Sequence, residues 1–116
     1  MIVDDHDAVR YSLRLFLSLA GGFEVAGEAE SGQDAVNLLG QIQPHVVLMD
    51  LVMPVMDGIT ATRIIRQRYP QIKIIVLTSV IDPLLIQNAM RAGAHSYLLK
   101  GTPIDALAIN LRAAVQ

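Results

Sequence analysis

A pattern that repeats five times constrains this chain more than any other: a short apolar run rich in β-branched residues, then a longer stretch with helical spacing. Ile2-Val3, Phe23 to Ala29, His45 to Met49, Lys73 to Leu77 and Ser96 to Leu99 read as strands. Val46-Val47-Leu48-Met49 and Ile74-Ile75-Val76-Leu77 are apolar without alternation. Strands written that way are buried on both faces, as in a parallel sheet covered by helices on each side. Five βα units joined by right-handed crossovers give a three-layer α/β sandwich. The 116 residues suit one domain spanning 1–116, with no tail after the last helix. No repeat, linker or low-complexity segment interrupts them.

The helical stretches carry recognisable starts and stops. Val9, Leu13, Phe16, Leu17 and Ala20 form the apolar stripe of the first, and Asp7 is expected to cap it. Ser31 caps the second, with Asp34 three residues on, before Ala35, Leu39 and Ile42. The third carries Ala61, Ile64 and Ile65 and stops near Tyr69-Pro70, because the residue before proline avoids helical angles. Leu85, Ala89 and Ala92 mark the fourth, which Gly93 terminates. In the fifth, Thr102 is the expected cap, Pro103 the first helical residue and Asp105 the partner of the cap amide, ahead of Ile104, Leu107, Leu111 and Ala114.

Composition narrows the function classes. Hydrophobic residues make up 53% of the chain and aromatic residues 4%, so the core is built from aliphatic side chains and methionine. Met49, Met53, Met56 and Met90 read as core or loop packing. A net charge of −2 without a Lys/Arg cluster argues against a surface that neutralises nucleic-acid phosphates. Cysteine is absent, which excludes disulfides and thiolate metal sites and suits a reducing cytoplasm. Asp4, Asp5 and Asp7 stand where a secretory signal would need basic and then apolar residues, and no apolar run approaches a membrane span. A soluble, cytoplasmic domain without membrane association is the expectation.

In an open parallel sheet, ligands bind beyond the carboxyl ends of the strands. Those ends carry Asp4 and Asp5, then Asp50, Thr78 and Lys100. The second strand brings no such residue, as befits a sheet edge. Three converging carboxylates repel one another unless a cation compensates them, and an all-oxygen set suits Mg²⁺ (or Mn²⁺). Asp50, at the end of a central strand, can act as a nucleophile forming an acyl phosphate. Phosphoryl transfer then needs positioning and charge neutralisation, for which Lys100 and the Thr78 hydroxyl are suited. Taken singly, each residue has an ordinary explanation: a helix cap, a strand end, a solvated charge. The combination carries the reading. His6, His45 and His95 show no i, i+4 pair and read as structural rather than metal-binding.

At these residues the sequence resembles the receiver domain of two-component response regulators over nearly its whole length. The resemblance is carried by Ile2-Val3-Asp4-Asp5-His6, by Val46 through Gly58 with Asp50 and Met53-Pro54 inside it, by Val76-Leu77-Thr78-Ser79, by Ala92-Gly93-Ala94 and by Tyr97-Leu98-Leu99-Lys100. It implies a flavodoxin-like three-layer sandwich, its five-stranded parallel sheet ordered 2-1-3-4-5, with five helices. It implies a phosphorylation-activated switch rather than an enzyme, which takes a phosphoryl group on Asp50 from a sensor histidine kinase or a small phosphodonor. By the same resemblance Asp4, Asp5, Asp50 and the backbone carbonyl of Val52 bind the cation, and Thr78 and Lys100 contact the phosphoryl group. Thr78 and Tyr97 form the switch pair. The wording of the third and fifth segments is similar to the NarL/FixJ-like subfamily, whose members usually carry a C-terminal helix-turn-helix. DNA binding is thus expected only through an effector domain absent from this chain.

Several expectations remain. Gly101 stands where many receivers have a proline after a cis bond, so a trans bond is expected here. Only three residues precede Asp4, roughly 10 Å of strand at about 3.3 Å per residue, whereas strands of that family usually begin earlier, so further residues are expected before Met1. Val52 and Val80 follow Asp50 and Thr78 at a distance of two and cannot orient water, which implies slow self-dephosphorylation. Tyr11, Leu15 and Leu19 either widen the buried face of the first helix, the reading slightly favoured, or join Ala106, Ala108 and Ala113 of the last in a phosphorylation-dependent homodimer. Among rivals, an aspartyl phosphatase commonly uses an acid at the position of Val52. A nucleotide-binding domain would have a glycine loop in place of Asp4-Asp5-His6-Asp7. A receiver-like module working without phosphate has no need of the full acceptor set.

Overall fold

The β-branched runs form the sheet and the amphipathic stretches cover it. The computed structural model describes residues 1–79 and 82–115. In chain order the elements are β1 (Ile2–Val3), α1 (Asp7–Ala20), β2 (Glu28–Ala29), α2 (Gly32–Leu38), β3 (Val46–Met49), α3 (Gly58–Arg68), β4 (Lys73–Thr78), α4 (Pro83–Ala92), β5 (Ser96–Leu99) and α5 (Ile104–Ala114). The strands pair in parallel in the order β2-β1-β3-β4-β5, as the resemblance implies.

Successive side chains of each strand point to opposite faces. Val47, Met49 and Ile74 join Ala35, Leu39, Ala61 and Ile65 in a core beneath α2 and α3. Leu48, Ile75 and Leu77 join Leu13, Leu17, Leu107 and Leu111 beneath α1 and α5. A smaller cluster of Leu51, Val76, Ala89 and Ala94 seats α4. Those two faces are why β3 and β4 are written without polar alternation. Met49 and Met53 are buried, whereas Met90 is exposed.

Most helix signals act as read. The Ser31 hydroxyl accepts from the Asp34 amide at 3.1 Å, α3 ends at Arg68, and Gly93 closes α4 with φ 117°. Four expectations need correction. Phe23 to Gly27 is not strand: β1 pairs Ile2 with Glu28 and Val3 with Ala29, and Gly27 lends its carbonyl to the Ile2 amide at 3.1 Å without joining the ladder. Asp7 does not cap α1; His6 holds the cap position and Asp7 pairs with Arg10. Thr102 does not cap α5 either, because its hydroxyl donates back to the Leu99 carbonyl at 2.6 Å and Pro103 takes the cap position. Phe16 is half exposed, since Leu13 and Leu17 already fill the α1 contact with the sheet. No described residue has a cis peptide bond, and Gly101 turns the chain with φ 92°. Val80 lies outside the described residues.

Candidate functional site

Parallel pairing brings the strand ends to one rim. The Asp4 amide donates to the Ala29 carbonyl at 3.1 Å and the Asp50 amide to the Val3 carbonyl at 3.0 Å, so sheet hydrogen bonds hold both aspartates. Asp4 is 2% and Asp50 5% exposed, and Thr78 ends β4 fully buried. The Lys100 amide donates to the Thr78 carbonyl at 2.8 Å, locking the fifth strand's end to the fourth. From there Lys100 Nζ reaches Asp4 Oδ2 at 2.6 Å and Asp50 Oδ1 at 3.5 Å. One oxygen each from Asp4, Asp5 and Asp50 and one nitrogen of His6 lie within 4.8 Å of one another. Among the predicted residues, the carboxylates and Lys100 are therefore assembled directly, with Thr78 beside them through the β4–β5 backbone. Tyr97 sits two register steps back from Thr78, opposite Val76, and is 47% exposed.

Two details at one glycine fix the position of Asp50. The Gly58 amide donates to the Leu51 carbonyl at 3.0 Å, folding the loop after β3 under Asp50. A Cβ on Gly58 would lie 2.0 Å from the Asp50 carbonyl oxygen, so only glycine permits α3 to start there.

The charges explain one another. Burial pushes the Asp50 carboxyl above its ordinary range, aided by the nearby Asp4 charge, while Lys100 and the Val52 backbone amide oppose that rise without cancelling it. Burial also raises Asp4, but there Lys100 and the His6 amide outweigh it and the carboxyl falls below its ordinary value. Desolvation lowers the Lys100 ammonium; its hydrogen bond to Asp4 and the charges of Asp50 and Asp4 more than restore it. The pocket thus holds an acid, a neighbour that ionises more readily, and a firmly protonated amine. Such an oxygen-rich set can hold a hard divalent cation.

Sequence reasoning missed two contributors. Arg10 donates to the Asp4 carbonyl at 2.6 Å and pairs with Asp7 and Glu28, which fixes the β1–α1 turn. Its i+3 spacing from Asp7 was the available signal. His6, set aside as structural, places Nδ1 3.1 Å from Asp4 Oδ1 and 3.3 Å from Asp5 Oδ1.

Fold and rim define a parallel α/β domain that gathers three aspartates, a threonine and a lysine at one sheet edge. The chain belongs to the response regulator receiver domain family, whose profile matches residues 1–112. It is 46% identical over 114 residues to the transcriptional regulatory protein LiaR of Bacillus subtilis, covering 98% of this chain and 54% of that protein. The response regulator protein VraR of Staphylococcus epidermidis is 40% identical over 112 residues, covering 97% of this chain and 54% of its own length. A crystal structure of a LuxR-family DNA-binding response regulator from Staphylococcus aureus superposes with a TM-score of 0.92 at 28% identity, covering 99% of this chain and 96% of that one. The chain thus spans about half the length of LiaR and VraR. Among the described residues no helix is long and apolar enough to cross a membrane.

Proposed function

We propose that this receiver works as a phosphorylation switch whose acceptor is Asp50. The observation that carries the proposal is the buried Asp50 carboxylate, one Lys100 ammonium at 3.5 Å and two further aspartates in the same pocket. Asp50 attacks phosphorus through a carboxylate oxygen; the new O–P bond forms as the phosphorus bond to the donor breaks, whether a kinase histidine nitrogen or an acyl oxygen. Lys100 neutralises charge on the transferred group, and the Thr78 hydroxyl donates to one of its oxygens. Asp4, Asp5, Asp50 and the Val52 carbonyl would hold Mg²⁺ (or Mn²⁺), which supplies further charge neutralisation when bound.

In this reading a sensor histidine kinase is the cytoplasmic partner. Tyr97 moves inward as Thr78 engages the phosphoryl group and alters the face made by α4, β5 and α5. The output is a transcription-regulatory helix-turn-helix domain in a longer protein, in line with relatives twice this length. Val52 is 60% exposed beside the acceptor, and replacing it together with Val80 by polar residues is expected to hasten phosphate loss. Unchanged phosphate lifetime would remove that part of the reading.

The deciding experiment is intact mass after incubation with Mg²⁺ and a small phosphodonor, beside Asp50→Ala. One phosphoryl adduct that vanishes in the variant is the expected result. A folded, metal-replete protein that takes no adduct would point to an interaction module working without phosphate.

A further inference from the structure

Charge is divided along this sequence as well as in the fold. Residues 1–57 carry nine carboxylates against Arg10 and Arg14, whereas from Gly58 to Ile104 six basic residues meet Asp82 alone. Three of those six stand where α3 and α4 end. Arg63 and Arg66 lie on one side of α3 at the i, i+3 spacing. A Cβ on Gly93, which closes α4, would stand 2.5 Å from Arg66 Cγ, so the Arg66 stem lies across the end of that helix. Its guanidinium donates to the Pro70 carbonyl at 2.5 Å, which holds the side chain in place. Arg91 precedes Gly93 by two residues, and Met90 beside it is 39% exposed. Every ion pair among the described residues takes its carboxylate from Asp4, Asp5, Asp7, Glu28 or Asp50. Arg63, Arg66 and Arg91 are exposed and share in none. Arginine and methionine are enriched where proteins meet one another.

The complement of this corner is on the same chain. In the loop leaving β3, Val52 is 60% and Val55 94% exposed. Val55 is also held at φ 68°, and strain of that kind collects at binding surfaces. Asp57 follows two residues later as the exposed cap of α3, and Asp82 caps the neighbouring α4. One surface is apolar between carboxylates, the other apolar between guanidiniums. They lie at opposite ends of α3, about 16 Å apart at 1.5 Å per residue, so no molecule can bring its own two together.

We infer that the β3–α3 loop of one copy seats on the α3–α4 corner of a second copy of this chain. Val55 meets Met90, and Asp57 and Asp82 meet Arg66 and Arg91. The two sides of the contact differ, so it is heterologous and propagates head to tail instead of closing a symmetric pair. It needs neither cation nor phosphoryl group, which separates it from a dimer through α1 and α5.

Sedimentation velocity of the whole chain, in chelator and without phosphodonor, tests this at rising concentration up to about 1 mM. At about 10 mM salt the sedimentation coefficient of wild type is expected to rise with concentration, and at about 150 mM salt the rise is expected to need about tenfold more protein. Arg66→Glu and Arg91→Glu, made singly and together, are expected to remain monomeric. Arg14→Glu changes net charge equally on a distant helix and is expected to associate within about threefold of wild type. Because the chain has no cysteine, Val55→Cys and Met90→Cys also report the pairing directly. Mixed and oxidised, the two variants are expected to form a disulfide-linked pair that neither forms alone. A wild type that stays monomeric at low salt would overturn the inference. So would association that survives both arginine reversals, or cross-linking that is as strong within one cysteine variant as between the two.

Discussion

At the scale of single residues, Asp50 is held by what lies beneath it. A methyl group on Gly58 meets backbone rather than a flexible side chain, so neither partner can yield. Gly58→Ala is expected to cost about 3 kcal/mol, the upper part of the range for overpacking, and to slow phosphorylation by displacing Asp50. Urea denaturation beside the phosphodonor assay checks both. Val55 is the opposite case, a β-branched residue at φ 68° with its side chain 94% exposed. The left-handed conformation costs about 1–2 kcal/mol there, and glycine gives back part of the relief through its greater freedom when unfolded. Val55→Gly is expected to raise stability by about 1 kcal/mol, and an unchanged urea midpoint would contradict the strain. Asp4 and Asp50 should respond to pH with opposite signs. The lowered Asp4 value contributes stability that is present above the ordinary carboxyl pKa and lost as pH falls through the folded one. The raised Asp50 value contributes stability present below the ordinary pKa and lost as pH rises through the folded one. In chelator, Asp50→Asn should therefore gain on wild type as pH rises through that window, and Asp4→Asn should fall behind. Chemical denaturation at several pH values reads the two curves.

At the scale of elements, α1 shows most clearly what a helical pattern conveys. Its spacing identifies Leu13 and Leu17 as core, and both are buried. It does not tell whether a neighbouring apolar stripe meets the sheet or the solvent. Leu15 is 44% and Leu19 76% exposed, with Tyr11 beside them, so the favoured reading of a widened buried face does not hold. Of the small residues on α5, Ala108 is buried and Ala113 exposed, while Ile109 adds 65% exposure. A homodimer through α1 and α5 on phosphorylation is the proposal this surface supports. Leu15→Asp is expected to change monomer stability by no more than about 0.5 kcal/mol and to abolish donor-dependent dimerisation in the ultracentrifuge. Strands β3, β4 and β5 were legible because each has a neighbour matching its length. β2 was not, since its extent depends on how far β1 runs, and hydrophobicity in Phe23 and Val25 serves the core without a ladder. The rim residues were legible because each directly follows an apolar run. His6 was hidden because its partners, Asp4 and Asp5, lie within its own turn, which no helical or strand period encodes.

At the scale of the whole molecule, the parallel topology sorts charge. Every helix begins at the rim, and each carries an aspartate in its first turn or at its cap: Asp7, Asp34, Asp57, Asp82 and Asp105. Three helices end on arginine, with Arg66 and Arg68, Arg91 and Arg112 at the opposite side. Each helix places about half a positive charge at its start, so one full negative charge per helix outweighs it about twofold. An anionic phosphodonor therefore approaches a repulsive pole even when the pocket is charge-balanced by its cation. At saturating Mg²⁺, phosphorylation by such a donor should speed up as salt shortens the screening length from about 30 Å to about 8 Å. A rate that falls over that range would contradict the polarity. The formal charge of −2 is thus the remainder of two separated poles rather than a description of the surface. A molecule built this way feels a torque in the field of a charged partner and turns its rim toward positive charge before any atoms touch.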